Sequence, residues 1–143
     1  MIIWKFKTYV SPSGRNDVQE TISGHDDYGL AAFSRCVEHL AVSPKPQWHE
    51  PAAKKLKSED QLYEIRYKFE KRATRAIGYF APDGSTFVIV LICYHKDRVY
   101  TPPDAFKIAR SRIKQIENSI ASTATLKIFG EDFPAHEEEC NSP

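Results

Sequence analysis

Phe87 to Pro103 reads FVIVLICYHKDRVYTPP, opening on the longest apolar run in the chain and ending in a polar, basic, aromatic cluster closed by two prolines. An apolar, largely β-branched run of this length suits a strand buried on both faces better than a helix. Its first half is therefore expected at the centre of a sheet. Tyr94-His95-Lys96-Asp97-Arg98 then emerges at the sheet's end with a phenol, an imidazole and two cations. Chemistry is expected there.

The stretches before it alternate. In residues 62–69, Tyr63, Ile65, Tyr67 and Phe69 fall on one face and Glu64, Arg66 and Lys68 on the other. That is the pattern of an antiparallel strand with one buried and one wet face. The charged turn Glu70-Lys71-Arg72 leads to a further strand, Ala73–Phe80, with Arg75 in its middle. Pro82-Asp83-Gly84-Ser85 turns the chain, since proline presets φ and glycine tolerates positive φ. These strands and the one from Phe87 make a tight antiparallel meander.

Nearer the start, Ile2–Val10 alternates and reads as a first strand, broken by Ser11-Pro12-Ser13-Gly14. Asn16 is placed to cap a short helix with Gln19 as its reciprocal partner and Gly24 as its stop. A second helix begins near Asp26-Asp27, whose carboxylates suit a helix N-terminus. Leu30, Phe33, Val37 and Leu40 form its apolar stripe, and Pro44 and Pro46 exclude its continuation. These helices are expected to form a hairpin on the sheet. Residues 43–60 form a Pro- and Lys-rich connection containing Trp48, His49, Lys54, Lys55 and Lys57.

Beyond the opening stretch, Thr101 and the prolines start a closing helix with Asp104 in its first turn. Ala105, Ala109, Ile113, Ile116 and Ile120 make its apolar stripe, and Lys107, Arg110 and Lys114 line another face. The order β-α-α-β-β-β-α describes an α+β domain with a meander sheet, a helical hairpin and a C-terminal helix. Residues 1–120 are read as that domain. Residues 121–143 are read as an acidic C-terminal extension with one apolar patch, Leu126–Phe129, its order left open.

With 143 residues, 41% hydrophobic and 27% charged, the chain has the composition of one ordinary globular domain. No apolar run approaches a membrane span and the N-terminus lacks a signal-peptide core, so a cytoplasmic protein with no membrane partner is expected. Three scattered cysteines and five histidines without ligand spacing predict neither a disulfide framework nor a metal site, and no cofactor motif is present. The net charge of +1 hides an asymmetry: residues 54–114 carry fourteen lysines and arginines against seven acids. Solvated faces account for most of these cations one by one, yet the block as a whole favours a polyanionic partner.

Phosphate loops, nucleophile elbows, zinc-protease helices and dinucleotide fingerprints are all missing. What remains is cations and aromatics on three consecutive strands. Arg66 lies opposite its strand's buried aromatics. Arg75, in a strand of small and apolar residues, needs an acidic partner, an open cleft or a ligand. The plainest partner is Glu64 on the adjacent strand. Such a set fits RNA cleavage in which a 2′-hydroxyl attacks its own 3′-phosphate: arginines match phosphate oxygens, His95 is a candidate base or acid, and Tyr94 can stack on a base or help in proton transfer. Plain nucleic-acid binding competes with that reading.

Lys54-Lys55-Leu56, then LYEIR (62–66), then an arginine-bearing strand ending Gly78-Tyr79-Phe80, resemble the RelE/ParE toxin superfamily. Tyr94, His95, Lys96-Asp97 and Thr101-Pro102 match the strand-end motif of its HigB-like, phage-derived branch. The helix Ala105–Glu117, with Ile108-Ala109-Arg110 and Arg112, matches the closing helix. The resemblance covers most of 1–119. It implies the toxin of a type II toxin–antitoxin system, cleaving mRNA in the ribosomal A site without a metal, with a helix-turn-helix antitoxin encoded nearby.

Arg66, Arg75 and Lys96 match positions to which the resemblance assigns phosphate and transition-state roles. Tyr94 and His95 complete the candidate catalytic set, and Lys54, Lys55, Lys57, Lys68 and Arg98 are the candidate RNA-binding cations around it. Asp97 stands where the branch has a second lysine, and Tyr94 where it has phenylalanine. A non-enzymatic, ParE-like gyrase inhibitor and a member that only binds antitoxin or RNA remain open. So does a tail whose Glu137-Glu138-Glu139 imitates phosphates over the basic site.

Overall fold

The computed structural model describes residues 1–56 and 61–135. The chain runs through β1 (Lys5–Val10), α1 (Asp17–Ser23), α2 (Asp27–Ala41) and a 3-10 turn (Lys45–Gln47). It continues through β2 (Ala53–Lys55), β3 (Tyr63–Phe69), β4 (Arg72–Phe80), β5 (Thr86–Lys96) and β6 (Val99–Thr101). Then come α3 (Ala105–Glu117), β7 (Ser122–Thr125), β8 (Lys127–Ile128) and β9 (Glu131–Asp132). The α+β order of the sequence reading is present, with short strands added around it.

One sheet orders its strands β2-β3-β4-β5-β1-β7, and β6 also pairs with β5. β3, β4 and β5 are the antiparallel meander. β5 is the longest strand, and one of its edges serves two neighbours. β1 pairs parallel to its first half, from Thr86 to Ile89, and β6 pairs antiparallel to its last three residues. That arrangement explains the opening stretch: Phe87–Leu91 is enclosed between strands and buried, while Tyr94–Lys96 has only the short β6 on one side.

The helices form where expected, with altered details. Asn16 caps α1 by accepting from the Gln19 amide N–H. Gln19 does not reciprocate: its side chain donates to the Lys127 carbonyl and accepts from the Lys127 N–H, tying α1 to β8. Asp26 caps α2 through Gly29, and Leu30, Phe33, Val37 and Leu40 are buried. In α3, Ala105, Ala109 and Ile113 are buried, but Ile120 lies past the helix end and is 58% exposed. β1 begins at Lys5 instead of Ile2, because the amides of Ile3 and Trp4 both donate to the carbonyl of Ala41.

Strand alternation gives the sheet two faces. Tyr67 and Phe69 of β3 meet Phe33 and His25 of the helical hairpin. The same face carries the aromatic core of Phe6, Trp48, Tyr63, Phe80 and Phe87. Trp48, in the Pro- and Lys-rich connection, is buried, and its indole N–H shares the Ser43 carbonyl with that of Trp4. Each such aromatic contributes roughly 1.5–3 kcal/mol by leaving water. The opposite face carries α3, whose Phe106 packs on Tyr100 and whose Gln115 bonds Tyr9. Arg112 fastens the helix by pairing with Asp17 of α1 and donating to the Val90 carbonyl.

Residues beyond α3 also enter the fold. β7 adds to the free edge of β1, and Leu126 and Ile128 are buried. Glu137-Glu138-Glu139 and Lys57 lie outside the described residues.

Candidate active site

On the face that carries α3, the meander's register sets Arg66 directly opposite Arg75, and Arg75 opposite Cys93. Two strand positions further along β5, on that same face, comes His95, whose partner on β6 is Tyr100. Glu64, two positions before Arg66, shares the face as well. Arg66, Arg75 and His95 of the candidate set are thus brought together by antiparallel pairing and period-two alternation alone.

Glu64 sits at the middle of the group and is 2% exposed. Its Oε2 lies 3.4 Å from Arg66 Nε and 3.5 Å from Arg75 Nε. Its Oε1 accepts a 2.6 Å hydrogen bond from the Tyr100 hydroxyl. The Arg75 contact is electrostatic, not directional, since Arg75 Nε makes no hydrogen bond among the described residues. The outer ends of the guanidiniums have other neighbours. Arg66 Nη1 is 3.2 Å from Glu50 on the rim. Arg75 Nη1 donates to the Thr74 carbonyl, and its Nη2 lies 3.5 Å from His95 Nδ1. The acidic partner expected for Arg75 is therefore present, and it is shared.

Electrostatics follow from this crowding. Burial lowers the affinity of Arg75 for its proton, an effect Glu64 opposes. Burial, with Arg75, Arg66 and Lys54 adding to it, pushes the His95 pKa below its ordinary value, against the pull of Glu64. A guanidinium N–H facing Nδ1 fits the neutral imidazole with its proton on Nε2. Burial first, then the bond to Glu64 and its charge, raise Tyr100, keeping the phenol protonated as a donor. Cys93 beneath Arg75 is pushed up to about 12 by burial and Glu64, so it is no nucleophile.

The remaining candidates are placed elsewhere. Tyr94 and Lys96 alternate to the opposite face, where the Arg72 guanidinium lies 3.7 Å above the Tyr94 ring. Adjacent strand residues cannot both face Arg75, so His95 excludes its neighbours from the group. Lys54 pairs in register with Glu64 and is 3.8 Å from Glu50, placing it beside the cluster. Lys55 alternates away. Lys68 is exposed further along the cluster's face, and Arg98 is exposed in the β5–β6 turn. Lys57 is not among the described residues.

Two participants have no place in the sequence reading, Tyr100 and Glu50. Tyr100 becomes legible only once β6 is known to fold back along β5. A Glu64 facing the same way as Arg66 is the one signal that was readable. His95, Tyr100 and Phe106 form a run of ring contacts, with centroids 4.6 and 4.7 Å apart, along the edge of the cluster. Among the described residues no three His, Cys, Asp or Glu side chains stand close enough to share a metal ion, and no helix is long and apolar enough to cross a membrane. A cavity of about 710 Å³ lined by Lys5, Lys7, Asp83 and Phe133 shares no residue with the cluster. Within the cluster Glu64 and Arg75 are buried, while Arg66 and His95 are half-buried and reach its outer side.

The family model described as phage-derived protein Gp49-like (DUF891) matches residues 21–114, which span α2 through most of α3 and include the whole cluster. No curated protein and no solved structure matches the chain. The chain belongs to the phage-derived Gp49-like family, a family of RelE-like toxins.

Proposed function

We propose that this chain is the toxin of a toxin–antitoxin pair and cleaves ribosome-bound mRNA by attack of a 2′-hydroxyl on the adjacent 3′-phosphate. The observation that carries the reading is the cross-strand pair Arg66 and Arg75 with His95 against Arg75. Two guanidiniums side by side match the oxygens of a phosphodiester and the charge that grows on them in the transition state. An imidazole held neutral is in the form that accepts the 2′-hydroxyl proton. The new bond joins the 2′-oxygen to phosphorus, the 5′-oxygen leaves and is protonated by water, and a cyclic phosphate remains. His95, Tyr100 and Phe106 offer ring faces for a nucleobase. The partner in the resting cell is a helix-turn-helix antitoxin that covers this surface.

Expression without antitoxin tests the reading. Growth arrest with mRNA cuts phased to codons is expected, and Arg75→Ala and Arg66→Ala are expected to fold yet lose toxicity. Folded variants that remain fully toxic overturn the site. Intact mRNA with DNA damage in arrested cells overturns the reaction in favour of gyrase poisoning.

A further inference from the structure

A carboxylate beside a phosphate site repels the ligand, so a buried Glu64 between the two arginines needs a reason. We infer that Glu64 is a positioning residue: it anchors both guanidiniums by their Nε atoms and turns their outer nitrogens toward the place where phosphate binds. This deepens the RNA-cleavage reading and rests on it for the substrate.

Three observations carry the inference. Both arginines approach one oxygen of Glu64 through Nε, at 3.4 and 3.5 Å, so the inner edge of each guanidinium is held. The outer nitrogens point elsewhere: Arg66 Nη1 to Glu50 on the exposed rim, Arg75 Nη1 to the Thr74 carbonyl and Arg75 Nη2 to His95. The second oxygen of Glu64 is held by Tyr100, so β6 fixes the carboxylate in turn. A stability pair needs one arginine, and here one carboxylate serves two. Directly opposed cations on adjacent strands repel, and Glu64 lets both be held there without their long side chains splaying into solvent. One carboxylate between two guanidiniums also leaves one net positive charge, which a single phosphodiester neutralises.

The opposing effects of Glu64 give the test its readout. Glu64→Gln keeps the shape and an acceptor for Tyr100 but removes the charge that anchors the arginines. KM for RNA and affinity for inorganic phosphate are then expected to stay level or improve, because repulsion is gone. Turnover on ribosomes is expected to fall at least about tenfold, since misplaced groups lose transition-state contacts. In NMR the Arg66 and Arg75 Nε–H groups are expected to be rigid on the ps–ns timescale in the wild type and mobile in Glu64→Gln, and the His95 titration to move to lower pH. Tyr100→Phe removes only the hydroxyl donor and is expected to shift turnover and Nε–H mobility the same way by a smaller factor. It carries the test should Glu64→Gln fail to fold.

Turnover that is unchanged or raised in the folded variant overturns the inference. So do Nε–H groups of Arg66 and Arg75 that are equally rigid with and without the carboxylate. A wild type that cuts no RNA overturns the RNA-cleavage reading instead, and the Nε and His95 measurements then decide the positioning role by themselves.

Discussion

Consider a double-mutant cycle on Arg75 and Glu64, built from Arg75→Met, Glu64→Gln and the pair together. At the observed 3.5 Å, an effective dielectric constant near 20 gives a gross attraction of about 5 kcal/mol. Burial consumes much of it, because the side chains are only 9% and 3% exposed and both charges leave water. The approach is not a hydrogen bond, so no directional gain is added. Arg66 and Tyr100 also remain on Glu64 when Arg75 is removed, which limits the loss further. The net coupling expected is therefore about 1–2 kcal/mol, read as the amount by which the double variant is less destabilised than the two singles summed. Urea unfolding followed by the fluorescence of buried Trp4 and Trp48 measures it. The coupling should persist in 0.5 M salt, as expected for buried charges. Strict additivity of the two substitutions refutes the claim that Glu64 and Arg75 interact in the folded chain.

Three other expectations concern the surroundings. Glu50→Gln frees Arg66 from a rim partner that is 60% exposed, so stability should change by less than about 1 kcal/mol while RNA binding tightens at low salt; weaker binding by filter retention contradicts this. Gly78→Ala would set a Cβ 2.1 Å from the Val88 carbonyl oxygen and 2.7 Å from the Phe87 ring, inside the β4–β5 pairing. Backbone has to move, and a loss of roughly 3 kcal/mol or more is expected in urea unfolding. Burial also holds the His25 pKa below its ordinary 6.5, with its Nε2 bonded to the Tyr67 hydroxyl. The unfolded chain then binds the proton first, so stability is complete above pH 6.5 and declines as pH falls below it. Urea midpoints at pH 7.5 and 5.5 should differ in that direction, and His25→Gln should shrink the difference.

The meander was legible because its signals are local. Residues 62–69 alternate strictly, Asp83-Gly84 turns the chain, and the apolar, β-branched run of β5 has a length and composition that suit a central strand better than a helix. α2 was legible for the same reason, its stripe being one element's own period. The added strands were not legible. β2 and β6 have three residues each and β7 has four, too short for any period to show, and their pairing is decided by neighbours distant in the chain. Trp48 sits among prolines and lysines yet completes the aromatic core, because a loop's burial depends on what it covers and not on its own pattern. Gln19 fits a capping box by spacing, but the nearby backbone of Lys127 competes for its amide and wins.

The strand-end cluster shows how far residue types alone can be trusted. Tyr94, His95 and Lys96 are contiguous and look like one site, but a period of two sends His95 to the arginines and its neighbours to the other face. Asp97 reads in the sequence as an acid in place of a lysine, a loss of charge where phosphate should bind. In the fold it is the first residue of the two-residue turn between Lys96 and Val99, with φ of 51° followed by 68° at Arg98. Both values lie in the left-handed region that this hairpin turn requires, and aspartate tolerates it better than lysine does. Asp97 therefore shapes the turn that folds β6 back along β5. That fold-back delivers Tyr100 to Glu64. The residue that seemed to weaken the site from its edge thus helps to assemble it from behind.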